Sequence, residues 1–275
     1  MKKIIHIIAM IVFVLSVSPT KAQDNMMLGY WDDVDFSDTT LISSKTMSDK
    51  LVNFFFSFTD GDEQRFDSLS MAGLGVVLDK AKVNMRMYEY ILEFALNGYS
   101  AMGRDRVTDY LLNYPQLAEG EITMEEGLRL DSITEPYQKV KVGAVAPNYH
   151  GVTIDGTLYG LYESNAKHVI IVFWSTDCEY CHEFLNQIRK KLDLKSDFEL
   201  VTFALADDEE EVKKAVKKMR LPGYHFYDAL RWDSEAFLDY HITSTPTVYV
   251  LDENKTIVCK PYDWQELKEW LNKNK

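Results

Sequence analysis

The chain has 275 residues, of which 46 % are apolar, enough to fill one large core or two ordinary ones and to exclude a disordered polypeptide. Its formal net charge of -13 sets it against phosphate backbones and anionic lipid surfaces, so nucleic acid is not an expected partner.

Met1-Lys2-Lys3 opens the chain, followed by an apolar run over 4–17 broken only by His6 and Ser16, with a small residue at Ala22 and a polar Gln23-Asp24-Asn25 beyond. These features describe a secretory signal over 1–22, with an uncleaved anchor as the alternative. The run is shorter than the roughly 20 residues needed to cross a bilayer, so no stable membrane insertion is expected after cleavage. Losing Lys2, Lys3 and Lys21 takes the charge of -13 three units further negative. The mature chain is expected in the periplasm or cell envelope, where a nearby cysteine pair persists as a disulfide unless something reduces it.

From Trp31 to about Thr134 the apolar residues recur at helical spacing. Leu51, Phe54, Phe55 and Phe58 fit one helical face, and Met87, Ile91 and Phe94 another. Breaks are expected at Asp60-Gly61-Asp62, Asn97-Gly98, Tyr114-Pro115 and Glu119-Gly120. The first of these lacks the alternating ligands and terminal glutamate of a calcium loop and reads as a solvated turn. Residues 23–140 are thus expected to form a mostly α-helical domain, without the clustered His, Cys or Ser-His pairs of an active site.

Over 141–275 strands alternate with helices, which points to an α/β sheet. The β-branched and aromatic run 169–173 suits a strand buried on both faces, and 199–205 and Thr247–Leu251 repeat the type. Phe184, Leu185, Ile188 and Leu192 line a helix that begins near Cys181, and Val212, Val216 and Met219 line a second. The acids over 207–211 open that second helix and lysines close it, complementing its dipole, so they read as a solvated face and not as a cation site. Glu253-Asn254-Lys255 makes a hairpin, and Trp264, Leu267, Trp270 and Leu271 mark the last helix.

Two of the three cysteines, Cys178 and Cys181, stand three positions apart where the strand over 169–173 gives way to a helix. A redox dithiol, half of a zinc site and a structural bridge compete for them. A structural zinc site needs four ligands, and no second Cys-x-x-Cys or paired His completes one. A bridge over two residues restrains little of the unfolded chain. A reversible dithiol, with the helix N-H groups favouring the first thiolate, is the better account. Ser244-Thr245-Pro246-Thr247 adds a proline directly before a central strand, where a missing donor is normally avoided, and a cis-proline loop explains it.

Residues from about 143 to 275 resemble a thioredoxin-like domain of the secreted TlpA and ResA type. The resemblance is carried by Ala146-Pro147-Asn148-Tyr149, Asp155-Gly156, Phe173-Trp174-Ser175-Thr176, the cysteine pair, Thr245-Pro246-Thr247 and Leu251-Asp252-Glu253-Asn254 followed by Ile257-Val258. It implies an α/β thioredoxin-like fold, a central mixed sheet flanked by helices, acting as a thiol-disulfide oxidoreductase without a cofactor. Its partners would be protein disulfides or dithiols and a redox partner supplying electrons. By this resemblance Cys178 is the exposed attacking thiol, Cys181 the buried resolving thiol with which it forms a disulfide, and Pro246 the cis-proline opposite them. Thr245, Trp174 and Tyr180 are the candidate substrate-contacting residues. The helical region resembles a domain of unknown function found ahead of such domains, through Asp35-Phe36-Ser37-Asp38 and Met87-Tyr88-Glu89-Tyr90-Ile91.

The pattern also departs from the family. Asp177 replaces the usual Trp before the first cysteine, Val172 stands where thioredoxin has a buried Asp, and Phe184 where relatives carry Glu, leaving Glu183 as the candidate proton shuttle. Asp177 and Glu179 flank the attacking sulfur with negative charge and disfavour its thiolate, which points to a reductant or isomerase. A binding module that kept the fold without turnover is the rival reading. A peroxiredoxin-like thiol peroxidase is a third, although Ile171 and Ser175 stand where its Pro and Thr belong. Cys259 is expected to be an inert thiol.

Overall fold

The computed structural model describes residues 29–57, 63–114, 122–191 and 197–274. The expected signal over 1–22, the turn at Asp60-Gly61-Asp62, Phe58, the break at Glu119-Gly120 and Leu192 lie outside these residues.

The N-terminal layer is helical: α1 (Lys45–Phe56), α2 (Glu63–Ala81), α3 (Met85–Ala101), α4 (Asp105–Leu112) and α5 (Met124–Lys139). Ser44 opens α1 by accepting the Met47 N–H at 3.2 Å, and Asn84 opens α3 by accepting that of Arg86 at 3.1 Å. Thr123 and Glu126 close a reciprocal capping box on α5. Each helix buries one stripe, and Leu51, Phe54, Leu74, Leu78, Ile91, Leu96 and Tyr99 meet in a shared core with Trp31. A side-chain ion pair also crosses it: Arg129 Nε donates to the buried Glu89 Oε1 at 2.8 Å, tying α5 to α3.

The expected break at Asn97-Gly98 does not occur, because α3 runs through it to Ala101. Leu96 and Tyr99 are both fully buried, and their packing outweighs the roughly 1 kcal/mol that a helical glycine costs. The chain turns at Gly103 instead, whose φ of 65° is open to glycine at little cost.

The C-terminal part holds a short hairpin, β1 (His150–Val152) with β2 (Leu158–Gly160), and a five-stranded mixed sheet. The sheet consists of β3 (His168–Ser175), β4 (Phe198–Leu205), β5 (Tyr224–Tyr227), β6 (Thr247–Leu251) and β7 (Ile257–Cys259), in the order β5-β4-β3-β6-β7. β3, β4 and β5 are parallel, whereas β6 runs antiparallel to β3 and β7 antiparallel to β6. Three of these strands, β1, β2 and β5, are too short for alternation to reveal and are absent from the sequence-based expectation.

β3 shows why the run 169–173 is apolar throughout. Val169, Ile171 and Phe173 face one core, with Phe203, Phe226, Tyr240 and Tyr249. Ile170, Val172 and Trp174 face the other, with Phe184, Leu185, Ile188, Val212, Leu267 and Leu271 from α6 (Glu179–Lys191), α7 (Glu209–Met219) and α9 (Trp264–Lys273). The period-2 alternation thus serves two buried faces, not one. The short α8 (Glu235–Asp239) covers the first face. No helix of the described residues is long and apolar enough to cross a membrane.

Burial holds three histidines below their ordinary pKa: His168, His225 and His241. His225, on β5, is buried with Nδ1 2.9 Å from Thr202 Oγ1 and Nε2 3.3 Å from the Leu221 carbonyl. For a base whose folded pKa is lowered, the unfolded chain binds the extra proton, so the stability present above the unfolded value of about 6.5 is lost as pH falls below it. The melting temperature is therefore expected to drop between pH 7.5 and 5.5. A smaller drop in His225→Gln, measured by thermal unfolding, assigns part of it to this site.

Candidate active site

Parallel strands place their carboxyl ends together, and the loops that leave that edge are where such sheets carry chemistry. β3 ends there at Ser175, and the antiparallel β6 starts there, since Phe173 pairs with Thr247. Two segments far apart in sequence, 176–181 and 244–246, therefore meet at one edge.

Cys178 occupies the cap position immediately before α6, and its Sγ accepts the backbone N–H of Cys181 at 3.0 Å. The helix starts at Glu179, two residues before its expected start at Cys181, and this brings the sulfur onto the unpaired N–H groups of the first turn. Such donors and the helix dipole stabilise negative charge on sulfur. The Cys178 and Cys181 sulfurs are bonded, with their Cα atoms 5.2 Å apart. Cys178 is half-buried whereas Cys181 is fully buried among Val172, Trp174, Phe184 and Leu185. The outer sulfur is thus the accessible one.

Opposite the pair, the Thr245–Pro246 peptide bond is cis, and the Thr245 carbonyl oxygen lies 3.9 Å from Cys178 Sγ. Thr245 and Pro246 are half-buried and Tyr180 is exposed, so all three face the same opening beside the sulfur. Trp174 does not join them. It is 0 % exposed, because alternation along β3 turns even-numbered side chains under α6, where its ring meets His182 edge-on at 5.7 Å. It is thus enclosed behind the motif and does not face the opening at which a substrate contact was expected.

Glu183 is likewise displaced from the role expected of it. It is exposed while Phe184 takes the buried position, because neighbouring residues on a helix point about 100° apart. Among the described residues no carboxylate is buried in the apolar cluster that surrounds Cys181. No group of three or more His, Cys, Asp or Glu side chains among them is placed to hold a metal ion. Cys259, on β7, is half-buried, and burial pushes its thiol up to about 12, which leaves it protonated and unreactive at neutral pH.

A cleft of about 330 Å³ adjoins this edge, lined by Tyr180, Thr245, Pro246 and Tyr262, and on its far side by Ala101 and Gly103 of the helical layer. Lys260 and Asp105 meet in it at 3.7 Å. The residues from the helical layer were not among those expected at the site, since a glycine turn and an alanine carry no chemical signature in a sequence. A larger cleft of about 630 Å³ lies at the other end of the parallel strands, between Ser164, Phe198 and Gly223, away from both cysteines.

Comparison with known proteins agrees with this arrangement. The family described as thioredoxin-like matches residues 165–257. The thioredoxin-like protein YneN of Bacillus subtilis is 26 % identical over 133 residues, covering 46 % of this chain and 76 % of that protein. The thiol-disulfide oxidoreductase ResA of Bacillus thuringiensis is 25 % identical over 142 residues, covering 50 % of this chain and 80 % of its own. Among solved structures, a thioredoxin-like protein from Bacteroides caccae superposes with a TM-score of 0.61 at 20 % identity and covers 100 % of both chains, so the likeness of fold includes the helical layer. Over residues 165–257, which carry the cysteine pair, this chain is thus similar to the thioredoxin-like family.

Proposed function

We propose that the protein is an extracytoplasmic thiol-disulfide oxidoreductase that reduces or isomerises protein disulfides. The observation that carries this reading is the bonded pair at the start of α6, with the half-buried Cys178 sulfur on a helix N–H and beside the cis-proline loop. In the reduced protein the Cys178 thiolate attacks one sulfur of a substrate disulfide. A mixed disulfide forms and the first substrate thiolate leaves, to take a proton from solvent. Cys181 then attacks Cys178 Sγ, releasing the second substrate thiol and leaving the enzyme disulfide. Two electrons pass to the substrate, and a dithiol redox partner restores them.

The location outside the cytoplasm rests on the signal-like residues 1–22. Residues 23–140 and 141–275 would then be the helical and thioredoxin-like domains of the mature chain. The exposed acids Asp177 and Glu179 beside the sulfur oppose the helix donors and so weigh against the thiolate. A strongly oxidising protein depends on a stabilised reduced form, so this pair is expected to be more reducing than DsbA, whose potential is about -120 mV. Equilibration with glutathione buffers measures it, and a value near -120 mV would overturn the assignment as a reductant. The activity itself is tested by insulin reduction with a dithiol donor, comparing the native chain with Cys178→Ser. Equal, negligible rates for both would leave the binding-module reading instead.

A further inference from the structure

The cleft beside the reactive sulfur is built by two parts of the chain. From the thioredoxin-like part come Tyr180, at the start of α6, and Pro246 and Tyr262, from two separate loops. From the helical layer come Ala101, at the end of α3, and Gly103, in the turn between α3 and α4. That turn is fitted to its neighbour: a Cβ on Gly103 would stand 2.6 Å from the Tyr262 Cβ, so only glycine allows the backbone this close. Lys260 and Asp105, both on the cleft lining, join the two parts in a pair of opposite charges.

Both tyrosines are unusually open, Tyr180 at 49 % and Tyr262 at 55 % exposure. These two solvent-facing rings and a proline give the cleft an apolar wall, and the cleft shares Thr245, whose carbonyl oxygen lies 3.9 Å from Cys178 Sγ, with the reaction site. A volume of about 330 Å³ is at the low end of ligand sites, which suits a side chain of a bound polypeptide more than a free cofactor. Aromatic side chains gain most from such walls, through ring-edge contacts beyond the area they bury.

We propose that the helical layer forms one wall of the substrate site, and that the cleft between Ala101, Tyr180 and Tyr262 selects polypeptides carrying an aromatic or large apolar residue next to the cysteine that Cys178 attacks. The proposal rests on the oxidoreductase reading above and adds to it the class of substrate and the role of the helical layer. The Thr245 backbone holds the substrate segment alongside the sulfur, and the recess takes the neighbouring side chain.

The test is a single-turnover measurement of how fast the reduced protein is oxidised by three disulfides: one of Gly-Cys-Phe peptides, one of Gly-Cys-Gly peptides, and bis(2-hydroxyethyl) disulfide. The native chain is expected to prefer the Phe peptide over the Gly peptide by about tenfold, the low end of what an apolar pocket discriminates. Ala101→Trp, a substitution at an exposed position of the helical layer, fills the recess and is expected to reduce that ratio to about twofold or less. Tyr262→Ala removes a wall and is expected to lower the ratio in the same direction. Equal rates for the two peptides in the native chain, or an unchanged ratio in both variants, overturn the proposal. Failure to react with any disulfide, bis(2-hydroxyethyl) disulfide included, overturns instead the oxidoreductase reading on which it stands.

Discussion

Cys178→Ser is expected to lower disulfide reduction by at least about three orders of magnitude, the equivalent of about 4 kcal/mol of transition-state stabilisation. A serine hydroxyl at this position stays protonated at neutral pH, and the helix N–H that Cys178 Sγ accepts does not bring it near ionisation. Cys181 does not take over, because it is fully buried under Trp174 and Phe184 and no substrate reaches it. Cys181→Ser is expected to behave in the opposite way. The first attack proceeds, the mixed disulfide finds no resolving thiol, and one substrate remains attached per protein. Mass spectrometry of the two variants after mixing with a disulfide peptide separates the roles: an adduct on Cys181→Ser and none on Cys178→Ser is expected. An adduct on Cys178→Ser, in the folded protein, would reverse the assignment of attacking and resolving sulfurs.

Phe173→Ala is expected to cost about 3–5 kcal/mol of folding stability, out of a usual total of about 5–15. The ring is 0 % exposed at the centre of the sheet. It stacks on Phe203 at 4.9 Å and meets Phe237 edge-on at 5.1 Å, with Tyr240 at 5.3 Å. Those neighbours belong to β4, α8 and the segment after it, so they cannot collapse together into the space left behind without moving backbone. The position also bears on the site, because Phe173 pairs with Thr247, next to Pro246, and lies two residues before Ser175. Urea denaturation measures the loss, and a change below about 1 kcal/mol would show that this stack is not what holds the sheet centre.

Much of the thioredoxin-like half was legible because its signals are local. The run 169–173 could only be a strand buried on both faces, and the structure gives it a place between two cores. Thr247–Leu251 has the expected bounds, and α7 starts on the acids read as a solvated helix opening, with Asp208 accepting the Glu211 N–H at 2.8 Å. What failed were readings in which packing competes with local preference. Asn97-Gly98 carries a turn signature, but Leu96 and Tyr99 keep α3 intact through it. Trp174 has the chemistry of a substrate platform, yet its position in the alternation of β3 buries it. β5 was invisible because four residues with two buried positions show no period.

Taken alone, the sequence determined that Cys178 and Cys181 stand at a strand-to-helix junction, that Pro246 precedes a strand, and that a helical region comes before them. Spacing, periodicity and side-chain chemistry are properties of neighbours along the chain, and they survive without a fold. Only the tertiary structure decided which sulfur is open and which is enclosed, because burial depends on what α6 packs against. It alone brought Thr245 to 3.9 Å from Cys178 Sγ, through the register of β3 with β6. It alone put Ala101 and Gly103 beside Tyr180 and Tyr262, because residues about 80 to 160 positions apart in sequence come together only through the packing of one layer against another.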